Sequence, residues 1–151
     1  VTLVAAHPGC AAALILEDPA LFLPDPGITL PMLLSEYEQP LTLEAQAKLN
    51  PTWHLEDTRI KTEALSQCGP EVFERIIGDN GSWNLIEGTA GLPVPTLIVG
   101  AGIDPVTPPA LGEGLAALAD RITFVQVPGS SHSIHRDEFE PLMDVIRSWL
   151  G

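Results

Sequence analysis

Pro95-Thr96-Leu97-Ile98-Val99-Gly100-Ala101-Gly102-Ile103-Asp104 is a short, apolar, β-rich run closed by glycines and an acid. A second run, Ile122-Thr123-Phe124-Val125-Gln126-Val127, leads into Pro128-Gly129-Ser130-Ser131-His132. Between them, Pro108 to Asp120 is rich in Ala and Leu, and Leu111, Leu115 and Leu118 recur at helical spacing. After the second run, Phe139, Leu142, Met143, Ile146, Trp149 and Leu150 fall on one helical stripe. Strand, helix, strand, helix with short loops predicts βαβ units, hence an α/β fold with a mostly parallel sheet and flanking helices.

Toward the N-terminus the pattern repeats once. Val1 to Ala6 reads as the end of a helix, stopped by His7-Pro8-Gly9. Cys10-Ala11-Ala12-Ala13-Leu14-Ile15-Leu16 is a continuous apolar run bounded by Gly9 and Pro19. That length and those breakers predict a strand buried on both faces. Leu23 to Pro31, with Pro24, Pro26, Gly27 and Pro31, reads as an irregular crossing. Helices are expected over Pro31–Gln39, Thr42–Leu49 and Leu55–Gln67, with a fourth opening at Gly69-Pro70-Glu71. Gly91 to Pro95 is a second hinge. The expected division is an α/β core from residues 1–23 and 93–151, with a helical insert over 24–92.

The 151 residues are 45% hydrophobic and 18% charged, which suits a folded globular chain. A formal net charge of −13 argues against nucleic acid and against anionic membrane surfaces, since both need a basic face. No apolar run approaches the roughly 20 residues of a membrane span. Cys10 and Cys68 form no CxxC or His/Cys cluster and are expected as partly buried, reduced thiols. No metal and no cofactor is implied. The N-terminus has neither an initiator Met nor a basic signal-peptide start. The chain is therefore expected to begin inside a longer protein, with the cytoplasm as the default location.

Asp18, Asp104 and His132 each follow the carboxyl end of an expected strand, the rim where open parallel sheets bind ligands. A carboxylate bonded to one imidazole nitrogen fixes the tautomer and stabilises the cation formed when the other nitrogen takes a proton. An acid and a histidine in these loops therefore suit the orienting and base roles of nucleophilic catalysis. His135 is the other candidate base. His7 reads as a cap or surface residue, and His54 in the insert could meet a ligand. Trp53, Trp83, Phe73 and Met32 read as core of the insert, with one or two lining a pocket.

The order Pro95–Asp104, helix, strand, Pro128–His132, helix ending Trp149-Leu150 resembles the C-terminal part of the α/β-hydrolase fold. Leu14 to Pro19 is similar to that family's sixth strand, and residues 24–92 fall where it carries its cap. The resemblance implies Asp104 as the triad acid after the seventh strand and His132 as the base after the eighth. Some members place the acid after the sixth strand, which makes Asp18 the alternative. The G-x-S-x-G nucleophile elbow and the His-Gly oxyanion loop are absent from this sequence. The resemblance therefore implies an incomplete core, whose nucleophile and oxyanion donors come from an N-terminal part of the same protein. This polypeptide alone is not expected to be a competent hydrolase.

The implied activity is a Ser-His-Asp hydrolase forming an acyl-enzyme from a small or medium apolar ester, lactone or thioester. Trp53, Met32 and Trp83 are the implied substrate contacts. The rival readings are a non-catalytic ligand-binding protein on the same fold and an Asp-nucleophile dehalogenase or epoxide hydrolase. Epoxide hydrolases of this fold use cap tyrosines, and Tyr37 is the single tyrosine in the chain.

Overall fold

Gly and Pro punctuate the elements, and apolar periodicity sets their type. The computed structural model describes all 151 residues, except the side chain of Met32. The order is α1 (Thr2–Ala6), β1 (Leu14–Glu17), β2 (Phe22–Leu23), α2 (Pro26–Leu34) and a 3₁₀ turn at Ser35–Glu38. Next come α3 (Leu43–Leu49), α4 (Leu55–Gln67), α5 (Pro70–Asn80), β3 (Trp83–Asn84) and α6 (Ile86–Ala90). The chain ends with β4 (Thr96–Ala101), α7 (Pro109–Leu118), β5 (Ile122–Val127), α8 (Ile134–Asp137) and α9 (Phe139–Leu150).

Two compact units form: Val1–Phe22 with Asn84–Gly151, and Leu23–Trp83. The first holds a parallel sheet in the order β1-β4-β5. Leu14 pairs with Thr96 and Glu17 with Val99, and Thr96 pairs with Ile122 and Ala101 with Val127. β4 is the middle strand and is buried along its whole length. On one face, Leu97, Val99 and Ala101 pack with Val127, Ile134, Leu142, Val145, Ile146 and Trp149. On the other, Ile98 packs with Leu21, Leu115 and Ile122, backed by Leu85, Ile86 and Phe124. A fully buried aliphatic side chain contributes about 1.5–3 kcal/mol, so Leu97, Ile98 and Val99, all at 0% exposure, concentrate stability in this strand. A third cluster joins Val4, Leu92 and Val94.

Residues 84–92, given to the insert on sequence grounds, thus belong to the sheet unit, because Leu85, Ile86, Ala90 and Leu92 pack there. β1 starts at Leu14 rather than Cys10, since its partner strand begins only at Thr96 and Leu14 N–H bonds the Pro95 carbonyl at 2.9 Å. Cys10 and Cys68 are both free and exposed rather than partly buried. β4 runs through Gly100 to Ala101. A Cβ on Gly100 would stand 2.9 Å from the Phe124 ring, so glycine here is a packing choice and not a strand end. Gly112 in α7 is tighter still, its hypothetical Cβ 2.3 Å from the same ring.

The second unit is helical. Its expected irregular crossing is the start of α2: Asp25 caps the helix by accepting Gly27 N–H at 2.8 Å, and Pro26 takes the first turn. Pro31 lies inside α2 and removes one backbone donor. α2 packs against α5, and α3 against α4. Leu65, Ile77, Gln46 and Thr58 are buried. Tyr37 meets Phe73 edge-to-face at 5.9 Å, and its hydroxyl donates to the Cys68 carbonyl. The two chain crossings, β2 and β3, pair as a two-stranded sheet. Among the described residues no helix is long and apolar enough to cross a membrane.

Candidate functional site

Three loops follow the carboxyl ends of β1, β4 and β5, and backbone bonds tie them together. At the end of β1, Asp18 N–H donates to the Val99 carbonyl at 2.7 Å. After β4, Gly102 and Ile103 N–H donate to the Ser130 carbonyl at 3.0 and 2.8 Å. The Ser130 hydroxyl is buried and donates to the Val127 carbonyl at 2.8 Å, closing the turn after β5. Gly102 is required here: a Cβ would lie 2.7 Å from both Gly129 N and the Val127 carbonyl oxygen.

Asp18 is fully buried. Its Oδ1 accepts Thr107 N–H at 2.9 Å, and its Oδ2 accepts Val106 N–H at 2.9 Å. Oδ2 also lies 3.0 Å from His132 Nδ1. Thr107 Oγ1–H donates to the Pro19 carbonyl at 2.6 Å, binding the β4 loop to the residue after Asp18. A buried neutral polar group without partners costs on the order of 2–7 kcal/mol and a carboxylate more, so these donors are what permits the burial of Asp18. The His132 side chain is 59% exposed, and with Nδ1 engaged its Nε2 is the nitrogen left for proton transfer.

The site therefore unites two of the three residues singled out in the sequence, and the pair is Asp18 with His132. Asp104 is exposed and, among the described residues, makes no hydrogen bond to His132. What decides between the two acids is side-chain direction at the strand ends. Both residues adopt a left-handed backbone, φ 35° for Asp18 and 45° for Asp104. Asp18 turns inward to the β4 loop, whereas Asp104 faces solvent. Positive φ in a non-glycine residue is costly and is held only where the surroundings enforce it.

His135 has an acid of its own. Glu17 Oε1 accepts His135 N–H at 2.9 Å and lies 2.7 Å from His135 Nδ1. Sequence reasoning passes over Glu17; the available signal is two consecutive acids at a strand end. It also misses the Val106 and Thr107 backbone donors, which composition cannot reveal. Asp137 accepts Ser131 N–H at 2.8 Å and the Ser131 hydroxyl, folding the His132 loop on itself.

The other residues singled out lie elsewhere. His7 ends α1 and is exposed, and His54 precedes α4 and is exposed. Trp53 is half-buried, with Lys61 Nζ 5.2 Å from its ring centroid, and Trp83 is half-buried in β3. The Met32 side chain lies outside the described residues. A surface hollow of about 490 Å³ is lined by Thr123, Val125, Asp144, Val145, Ser148 and Trp149, none of them in the Asp18–His132 cluster. Among the described residues, no group of His, Cys, Asp and Glu is disposed to hold a metal ion.

No family model matches the chain, and no curated protein matches it by sequence. Solved structures do. An E-2-(acetamidomethylene)succinate hydrolase aligns with a TM-score of 0.72 and 16% identity, over 99% of this chain and 61% of its own. An N-formylmaleamic acid deformylase from Pseudomonas putida S16 aligns at 0.72 and 20% identity, over 97% and 60%. A malate-bound thermophilic esterase from Thermogutta terrifontis gives 0.61 and 21%, over 92% and 55%. The chain thus spans about three fifths of the length of these structures. The parallel β1-β4-β5 sheet, its flanking helices and these alignments make the chain's fold that of the α/β-hydrolases.

Proposed function

We propose that this chain is the acid–base arm of a hydrolase, with His132 as general base and acid and Asp18 as its orienting acid. The observation that carries this reading is the 3.0 Å contact of His132 Nδ1 with a fully buried carboxyl that two backbone N–H groups also hold. The nucleophile, a serine in this reading, is supplied by residues outside this chain, as are the oxyanion donors. His132 Nε2 takes the hydroxyl proton as the serine oxygen attacks the carbonyl carbon. It then returns that proton to the leaving group, and water repeats the cycle on the acyl-enzyme. Asp18 stabilises the imidazolium in both halves.

The proposed substrate is a small or medium carboxylic ester, lactone or thioester with an apolar acyl part. The helical unit would serve as the cap, with Trp53, Trp83 and Met32 as candidate substrate contacts. An (acetamidomethylene)succinate hydrolase and an N-formylmaleamic acid deformylase share this fold, so amides belong in the same screen. The test is a fluorophosphonate probe on the full-length protein. Stable labelling that is lost in His132→Ala supports the serine hydrolase. Tight ligand binding without labelling or turnover rejects it in favour of a binding protein.

A further inference from the structure

We infer that Glu17 is a positioning residue for the His132 loop, acting through His135; this rests on the hydrolase reading above. Glu17 and Asp18 are consecutive at the end of β1, and both reach the segment from Ser131 to Asp137 across more than a hundred residues. Asp18 meets the His132 ring. Glu17 holds His135, accepting its backbone N–H at 2.9 Å and lying 2.7 Å from its Nδ1.

The His132 side chain is 59% exposed and is held by one hydrogen bond at Nδ1. Its orientation therefore depends on where the backbone of residue 132 is placed. On the N-terminal side, the Ser130 carbonyl is bonded by Gly102 and Ile103 N–H. On the C-terminal side, Asp137 bonds back to Ser131, within the same segment. On that side Ile134 is buried against β4 and β5, and Glu17 adds a hydrogen-bonded tie to the end of β1 through His135. Because Glu17 adjoins Asp18, one strand end fixes both the acid and the backbone carrying its histidine. The Glu17 side chain is 30% exposed and that of His135 48%, so the pair adds little to global stability. Its effect is on the geometry of the Asp18–His132 bond, where small misplacements lower rates steeply.

The experiment compares Glu17→Ala, Glu17→Gln and His135→Ala in the full-length protein. It reads kcat and KM for p-nitrophenyl acetate, Tm, and the proton NMR signal of His132 Nδ1–H, assigned by its loss in His132→Ala. Glu17→Ala is expected to lower kcat about 10- to 100-fold with KM changed by less than about twofold, and to broaden the Nδ1–H signal. Glu17→Gln keeps an acceptor for His135 N–H and is expected to recover most of kcat. His135→Ala keeps the backbone bond and is expected to lose less than Glu17→Ala. An unchanged Nδ1–H signal and a kcat within about twofold of wild type in Glu17→Ala overturn the proposal, as does a fall in Tm without either change. If Glu17→Ala does not fold, wild-type kcat and an unaltered signal in His135→Ala overturn it. If the wild type has no turnover, the hydrolase reading fails while the NMR comparison still decides the Glu17 tie.

Discussion

Asp18 divides two carboxyl oxygens among three donors, Thr107 N–H, Val106 N–H and His132 Nδ1. An amide cannot match that pattern. Asparagine in its place would still tolerate the left-handed backbone, but its NH₂ would oppose at least one N–H. Asp18→Asn is therefore expected to reduce kcat by about 10³- to 10⁴-fold, the scale of losing the orienting acid of such a pair. Asp104→Asn should stay within about threefold of wild type, since asparagine accepts a φ of 45° and the exposed carboxyl does not orient His132. Steady-state kinetics of the two variants side by side is the check. Equal losses would reject the assignment of Asp18. The sequence resemblance favours Asp104 and keeps Asp18 as the alternative, and no local feature corrects that order. Both follow parallel strands, both precede a proline, and the difference is the direction each side chain takes from a strained backbone.

At the scale of the element, α7 lies against Phe124 of β5 at Gly112, where a Cβ would stand 2.3 Å from the ring. Gly112→Ala should destabilise by about 1–3 kcal/mol through overpacking, against the gain of up to about 1 kcal/mol that helix propensity predicts. Gly114, in the same helix with nothing within 4 Å of its hypothetical Cβ, should give that gain when replaced by Ala. Thermal melts of the two variants separate packing from propensity. On α4, Arg59 bonds Glu56 at 2.7 and 2.9 Å and Glu63 at 2.9 Å. The hydrogen bond to Arg59 holds the Glu56 carboxyl below its usual range. A carboxyl with a lowered folded-state pKa adds stability above its unfolded pKa and loses it as pH falls. The Tm deficit of Arg59→Ala should therefore be present at neutral pH and vanish on acidification through the carboxylate range.

β5 and α9 are legible in the sequence because a bounded β-rich run and a six-residue stripe leave one reading. α2 is not, because its prolines read as breakers until Pro26 is seen in the first turn beside its Asp25 cap. The end of β4 is hidden for the opposite reason: Gly100 looks like a stop but makes room for an aromatic ring one strand away. The Glu17–His135 tie depends on a contact between residues 118 positions apart, which no local pattern encodes.

Across the whole molecule, burial is uneven. The fully buried aliphatic side chains cluster on β4 and its neighbours, while the helical unit buries Leu23, Leu65 and Ile77 with Gln46 and Thr58. Local opening free energy follows buried apolar packing. Amide hydrogen exchange should therefore be slowest at Leu97 to Val99 and clearly faster in α3 and α4. Uniform protection across both units would contradict this.

The chain leaves and re-enters the sheet unit through β2 and β3, whose strands pair side by side. With the two ends already held together, the sheet unit meets the intervening residues chiefly as a loop to be closed. The entropy of closing a loop grows only with the logarithm of its length, about 0.6 kcal/mol per doubling. Helical inserts of quite different sizes could thus be exchanged at this doorway at small energetic cost, with the Asp18–His132 bond unchanged. The helical unit could then be replaced as a module while the contact between β1 and the loop after β5 stays in place.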